Sequence, residues 1–328
     1  MNASTILATP YGRLARAVRT DDSWAVTFPL EGQDVRCLTS DPQHPQTVYA
    51  GTQGAGIWRS EDSGETWQPC GMSGQIVKSI TVSPHDSDTF FAGTKPAFLF
   101  TSKDGGSTWD ELAGFRRIPG RWWWFTPSER PNQAYVIGVA VSPTDPQVIL
   151  AGIEFGGVVR SDDGGVSWSG HRKSALRDCH TLKFHHSQSW AYEAGGTGGG
   201  AAFSLDGGFT WRKAKHGLAK NYGVSCAADP GDPQIWYVSV APGPSKAYGG
   251  QVEAYLYRAD AEVGWQPIGW EAHPMQGMPL ALVTVPNDPG RLYAGLNNGD
   301  IWHTRNYGDN WEQLPFNLKG MGRSMIVI

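Results

Sequence analysis

The stretch that decides the fold is Ser60-Glu61-Asp62-Ser63-Gly64-Glu65-Thr66-Trp67. Its frame, Ser-x-Asp-x-Gly-x-Thr-Trp, returns as Ser102-Asp104-Gly106-Thr108-Trp109, as Ser161-Asp163-Gly165-Ser167-Trp168 and as Ser204-Asp206-Gly208-Thr210-Trp211. A worn copy stands at Thr304-Asn306-Gly308-Asn310-Trp311. The chemistry suits a tight turn between two strands. The Asp carboxylate accepts backbone N–H bonds, the Gly supplies a position with φ > 0, and the Trp opens the next strand.

Working outward, two more tryptophans fall in the same rhythm as degenerate copies: Trp24, after Asp21, Asp22 and Ser23, and Trp265, after Arg258 and Asp260. The seven residues Trp24, Trp67, Trp109, Trp168, Trp211, Trp265 and Trp311 recur at intervals of 42 to 59 residues. The residues beyond Trp311 and those before Trp24 together supply one more period, so the array closes across the termini. The expected fold is all-β: a seven-bladed β-propeller of four-stranded antiparallel blades, one domain over residues 1–328. Its last blade takes 323–328 as the innermost strand and the segments 5–8, 13–18 and 23–28 as the other three, which closes the ring and removes exposed edges.

Within each repeat an inner strand passes a Pro-bearing turn (Asp41-Pro42, Ser83-Pro84, Ser142-Pro143, Asp229-Pro230, Val285-Pro286) into an apolar second strand such as Val48-Tyr49-Ala50-Gly51. The recurring Trp belongs to the scaffold. Burying about 150–250 Å² of ring stabilises a blade by roughly 4–6 kcal/mol at the upper end.

These motifs resemble the Asp-box, or BNR, repeat found in sialidases, xyloglucanases, sortilin-like receptors and photosystem II assembly factors. The resemblance implies a propeller in which the box joins the third and fourth strands of a blade. It leaves function open, because the box is structural in all of these families.

Charge and cysteine usage narrow the classes. Lysine and arginine number 27 against 31 acidic residues, so there is no global field suited to nucleic acid or anionic membrane. Residues 1–18 lack a basic segment followed by an apolar run, and no stretch has the length of a membrane span. A cytoplasmic monomer is expected. Cys37, Cys70, Cys179 and Cys226 have no metal-ligand spacing and are read as reduced thiols, three of them in inner strands, with no metal or cofactor expected.

Function is sought where the chain departs from its repeat. Two insertions, 113–134 between blades two and three and 242–253 in blade five, are expected on one face, opposite the box turns. The first carries Phe115, Arg116, Arg117, Arg121, Trp122, Trp123, Trp124 and Phe125; the second carries Lys246 and Tyr248. Three successive tryptophans cannot all point one way on a strand. At least one is expected at the surface, as a sugar platform or as part of a plug or protein-contact patch.

Aligning the loops between second and third strands places Gln53, Lys95, Glu154, Thr197, Asn297 and Tyr11 around one mouth. Counting back from the turn prolines places Arg36, Lys78, His180 and Arg323 near the axis, against Ile137, Val224 and Leu280 elsewhere. With the arginines of the first insertion these suggest a basic pocket for an anionic or carboxylate-bearing ligand. The alternative is cations bonding carbonyls around a wet channel.

Blade four departs furthest. It carries Glu193 where the other second strands carry Tyr49, Phe91, Leu150 and Tyr293, and its inner strand brings His180, Lys183, His185 and His186. A carboxylate in a packed strand calls for a partner, as an acid/base couple or as a structural ion pair. The His spacing on a strand does not converge three rings, so no metal site is expected.

Arg117-Ile118-Pro119 echoes the Arg-Ile-Pro motif of sialidases, in which the Arg grips a carboxylate, but here it follows two boxes instead of preceding the first. The favoured reading is a scaffold that binds a carbohydrate, an anionic small molecule or a protein partner through the insertion-bearing face, with Arg36, Lys78, Arg116, Arg117, Arg121, Trp122–Trp124, Lys246, Tyr248 and Arg323 as contacts. The alternative is a glycoside hydrolase-like enzyme with Glu154 and Glu193 as acid and base, His180 beside them and a carboxylate separation of roughly 6.5–9.5 Å.

Overall fold

A computed structural model describes every residue except 1–4, 22, 197, 215–216, 261–263 and 271–273. The recurrent turn is closed by its own side chains. Ser60 Oγ donates to Asp62 Oδ1 (2.6 Å) and accepts from Gly64 N (2.9 Å), while the Asp62 carboxylate accepts from Glu65 N, Thr66 N and Thr66 Oγ1 at 2.6 to 2.9 Å. The same bonds recur at Ser102, Ser161 and Ser204, and each Trp indole donates to the carbonyl of the Gly three residues earlier. Burial alone would raise the Asp62 carboxyl; the bonds from Ser60, Thr66 and the backbone outweigh it and bring it down to about 2.

The turn Gly is required twice over. Gly208 has φ +81°, and a Cβ there would stand 2.5 Å from Leu150 Cδ2; at Gly64, with φ +82°, it would stand 2.8 Å from Leu7 Cδ1. Both contacts belong to the preceding blade, so the turn docks one blade onto the next. A clamp beside it repeats: Arg16, Arg160 and Arg258, at matching third-strand positions, donate to the carbonyls of Ser63, Gly207 and Tyr307 in the following turn.

Seven antiparallel sheets form the ring. Blade seven runs Met325–Val327, Thr5–Ala8, Ala15–Thr20, Ser23–Thr27, so the two ends of the chain share one sheet as expected. Among the described residues six sheets have four strands and blade three has three. There Ser169 Oγ takes the Arg160 N–H that a fourth-strand carbonyl would accept, while Ser169 N to Arg160 O and Arg172 N to Val158 O (both 2.8 Å) keep the segment bonded to the third strand. The degenerate turns also differ. Trp24 does lie in an outer strand, paired with Arg19, but Thr20 and Ser23 close an ordinary tight hairpin there; Asp22 is outside the described residues. Trp265 pairs with Ala259, and residues 261–263 of its turn are likewise outside the described residues.

Inner strands carry a register shift at one fixed place. The ladders skip Arg36, Lys78, Ile137, His180, Val224 and Leu280 in blades one to six. In blade seven, Thr9 N bonds Ser324 O (3.2 Å) and Gly322 N bonds Thr9 O (3.0 Å), which leaves Arg323 at the same place. These are the seven positions aligned in the sequence; each is a bulge, and a bulge re-aims its side chain.

Apolar clusters lie between neighbouring blades, as where Tyr49 of blade one meets Phe90 of blade two at 4.7 Å. Of the box tryptophans Trp211 is buried (5% exposed) while Trp67, Trp109, Trp168 and Trp311 are half-buried, so most contribute less than the full-burial figure. All four cysteines are free; burial pushes Cys37 and Cys226 up to about 12, which makes them inert thiols at neutral pH. Among the described residues no helix is long and apolar enough to cross a membrane, and no group of three or more His, Cys, Asp or Glu is placed to hold a metal ion.

Candidate functional site at the bulged end of the inner strands

The bulges put charged groups at one end of the inner strands, and both insertions reach that end. Arg323 donates from Nη2 to Tyr248 Oη in the second insertion (2.6 Å), with its guanidinium carbon 5.3 Å from the Tyr248 ring centroid. Its Nη1 stands 4.0 Å from Glu154 Oε2 in blade three. One side chain of blade seven thus links blade three and blade five. Burial alone would lower the Arg323 guanidinium; the Tyr248 hydroxyl and the Glu154 carboxylate outweigh it and hold the group above its ordinary range. The side chain remains 31% exposed.

Glu154 follows the strand Ile149–Ile153 and is buried. It accepts a short hydrogen bond from Tyr135 Oη and another from Thr126 Oγ1 (3.3 Å) of the first insertion. Burial, then the neighbouring Glu154, raises the Tyr135 hydroxyl, so Tyr135 stays protonated and acts as donor. The two residues bracket the foot of blade three, where Glu154 N also bonds Tyr135 O (3.1 Å).

The remaining predicted cations divide. Lys78 forms an ion pair with Glu129 of the first insertion (2.6 Å), and Arg36 one with Asp34 (2.5 Å). Arg116 pairs instead with Glu111, and Arg121 donates to Ala97 O; both guanidinium groups lie against the Phe98 ring, at 4.4 and 4.9 Å. Those two arginines clasp a turn of blade two and do not join Lys78. Arg117 is exposed, and Lys246 is half-buried in the short helix Pro244–Tyr248. The tryptophans divide as well. Trp124 packs against buried Phe115 at 5.8 Å, whereas Trp122 and Trp123 are 80% and 72% exposed with ring centroids 4.8 Å apart.

Blade four corrects two expectations. Its ladder pairs Lys183 with Tyr192 and Leu182 with Glu193, where blade one pairs Thr39 with Tyr49 and Leu38 with Ala50. Tyr192 is therefore the counterpart of Tyr49, and Glu193 takes the alanine place. By the same register Gly196, whose N bonds Asp178 O as Gln53 N bonds Asp34 O, holds the loop position assigned to Thr197, a residue outside the described ones. Glu193 forms no ion pair among the described residues, and Lys213 acts on it only through space. It is fully buried, its Oε2 accepts from Leu176 N (2.8 Å), its Oε1 has no hydrogen-bond partner, and burial pushes its carboxyl up to about 8.

His180 pairs with Asp178 (3.4 Å) and bonds Gly223 O through Nδ1 (2.7 Å). The proposed couple of Glu154 and Glu193 thus separates: Glu154 lies in the Arg323 network, Glu193 against Leu176 and Cys179 inside the sheet packing. Two clefts of about 310 and 380 Å³ lie elsewhere, at box seams lined by Arg59, Cys70 and Gly105 and by Arg258, Ile268 and Gly308. Sequence reasoning missed Lys95 as a partner of Glu129, and missed Tyr135 and Glu129 altogether. The one signal available was that Lys95 and Glu154 share a loop position.

A seven-bladed propeller with charged bulges and two insertions at one end is the class these features define. The chain is similar in structure to a GH74 xyloglucanase from Xanthomonas campestris, with TM-score 0.72 and 18% identity over 97% of this chain and 53% of that one. It is similar to YCF48 from Cyanidioschyzon merolae, with TM-score 0.58 and 12% identity over 88% and 87% of the two chains. A functionally unknown protein from Desulfotomaculum acetoxidans aligns over 99% of both chains with TM-score 0.64 and 12% identity. The chain spans about half the length of that xyloglucanase, and identities this low show the fold alone. No protein-family model and no curated protein matches the chain.

Proposed function

We propose that this protein is a binding scaffold of the Asp-box propeller kind, and that its working face is the bulged end of the ring together with the two insertions. The observation that carries the reading is the span of Arg323 from blade seven to Tyr248 and Glu154. It links blades three, five and seven through one side chain and leaves an Arg donor group partly open to solvent, an arrangement suited to holding a ligand. Exposed Trp122 and Trp123, with rings tilted by 31°, add an aromatic surface in the first insertion. A hydrolase of the two-carboxylate type needs two such groups facing one open pocket, and sealed Glu193 does not meet that need. The similar xyloglucanase and the YCF48 solved bound to a D1 peptide support either a carbohydrate or a peptide as the bound class.

The test is thermal stabilisation and pull-down in parallel. We expect a ligand or partner whose capture falls at least tenfold in Arg323→Ala and in the double variant Trp122→Ala/Trp123→Ala, with folding unchanged. Capture that is indifferent to both variants sinks the reading.

A further inference from the structure

Blade two offers two ammonium groups to one spot. Lys78 stands at its bulge and Lys95 ends the strand Phe90–Lys95, so the backbone ladder fixes both stems. Both are buried, with side chains 8% and 2% exposed. Two like charges buried together cost free energy unless an anion joins them. Here the anion is Glu129, whose Oε2 lies 2.6 Å from Lys78 Nζ and 3.6 Å from Lys95 Nζ. Lys95 also donates to the carbonyls of Glu129 (3.0 Å) and Arg130 (3.3 Å), and the Tyr135 ring centroid lies 5.0 Å from Lys78 Nζ and 6.0 Å from Lys95 Nζ.

The two sides of this contact differ in how they are held. The lysines and Tyr135 rest on or beside strands, whereas Glu129 sits in a loop whose neighbours Ser128, Arg130, Pro131 and Asn132 are exposed. Its base is anchored by buried Thr126, whose Oγ1 bonds Glu154 Oε1 (3.3 Å) and Ser128 Oγ (2.7 Å), with Ser128 Oγ 3.4 Å from Tyr135 Oη; beyond that base the loop is closed by Thr126 N to Asn132 O at 3.4 Å, a long bond, and by the lysine contacts. Burial lowers Lys78 against the gain from Glu129, while Glu129, which burial alone would raise, is lowered by its bond to Lys78. The pair is ionised, and Glu129, the more open partner, keeps the electrostatic gain.

We propose that Lys78 and Lys95, both backed by the Tyr135 ring, form a carboxylate-binding subsite, and that Glu129 is a tethered stand-in for the carboxylate of an acidic small ligand, which binds by displacing the exposed part of loop 126–132. The inference rests on the bulged end being the working face. A site closed for 90–99% of the time shows an affinity weakened about 10–100-fold, and removing the internal occupant restores it.

The experiment titrates the full chain calorimetrically at low salt with glucuronate, glutarate and glucose. Glu129→Ala and Glu129→Gln are expected to bind a carboxylate about 10–100-fold more tightly than wild type, with no response to glucose. Adding Lys78→Met to Glu129→Ala removes the gain. In wild type, saturating ligand speeds hydrogen exchange across 126–132. Tighter binding of glucuronate alone identifies a sugar acid, and of both acids a bare carboxylate. If both Glu129 variants fold like wild type and bind carboxylates no better, the subsite is overturned and Glu129 is a pin for the loop. Arg323→Ala separates the two readings: affinity that depends on Arg323 but not on Glu129 or Lys78 overturns the subsite and leaves the working face standing.

Discussion

At the scale of single residues, Glu193 shows how one misplaced charge is tolerated. Burial has raised its carboxyl from 4.5 to about 8, against the smaller opposing pull of the Leu176 N–H, Cys179 and Lys213. Between those two values the unfolded chain releases a proton that the folded chain keeps, so stability is fully present below about pH 4.5 and is lost as pH rises through about 8. The whole effect is on the order of 4–5 kcal/mol. Glu193→Gln removes the titration. Thermal midpoints of wild type should fall from pH 5 to pH 9, those of the variant should stay flatter, and above pH 8 the variant should be the more stable. A constant difference between the two across that range would show that Glu193 does not titrate there. The sequence exposed the oddity of Glu193 but misassigned its place by one residue, because the register of blade four is set by its ladder and no side chain announces it.

Turn and bulge govern the scale of elements, and they were legible to different degrees. The turn at Ser60–Trp67 was readable because its bonds run between residues two to four apart, so local sequence contains the whole structure. The bulges were readable by counting, since a turn proline lies at a fixed distance from Arg36 and Lys78. The interrupted outer ladder of blade three was not, because one hydroxyl, Ser169 Oγ, takes a backbone donor there. The docking role of the turn Gly gives a prediction with an internal control. Gly74→Ala meets only left-handed strain, at φ +84° with nothing within 4 Å, and should cost about 1–2 kcal/mol. Gly208→Ala adds overlap with Leu150 and should cost roughly 2–4 kcal/mol. Equal shifts in the urea midpoint would show that the turn does not bear on the preceding blade.

For the whole molecule, the candidate site joins residues that no period relates: Arg323 meets Tyr248 75 positions away, and Lys78 meets Glu129 51 away. Sequence could place the cations and Glu154 by register, yet Tyr248 and Glu129 sit in insertions, which follow no repeat. Closure of the ring, by contrast, followed from arithmetic on the tryptophans, and it is where the molecule is most exposed to a test. The strand Met325–Val327 pairs with Thr5–Ala8, and Thr5 and Ile328 exchange two backbone bonds of 3.1 and 2.9 Å. Met325 packs with Ala281 and Tyr293 of blade six, while Ile326 and Ile328 pack toward Leu38 and Val48 of blade one. One short strand thus touches both neighbours of blade seven. Removing residues 325–328 leaves Thr5–Ala8 as an unpaired apolar edge and unseats two blade interfaces at once. Losing Met325 alone is worth about 2–5 kcal/mol, and with the other contacts the loss should approach the roughly 5–15 kcal/mol that holds a folded domain together. The truncated chain should therefore lose cooperative unfolding by circular dichroism and associate on size exclusion. Ile328→Ala, a half-buried truncation in the intact ring, should cost only about 1–2 kcal/mol. A truncated chain that unfolds at the full-length midpoint would mean that the blades hold their ring without the shared sheet.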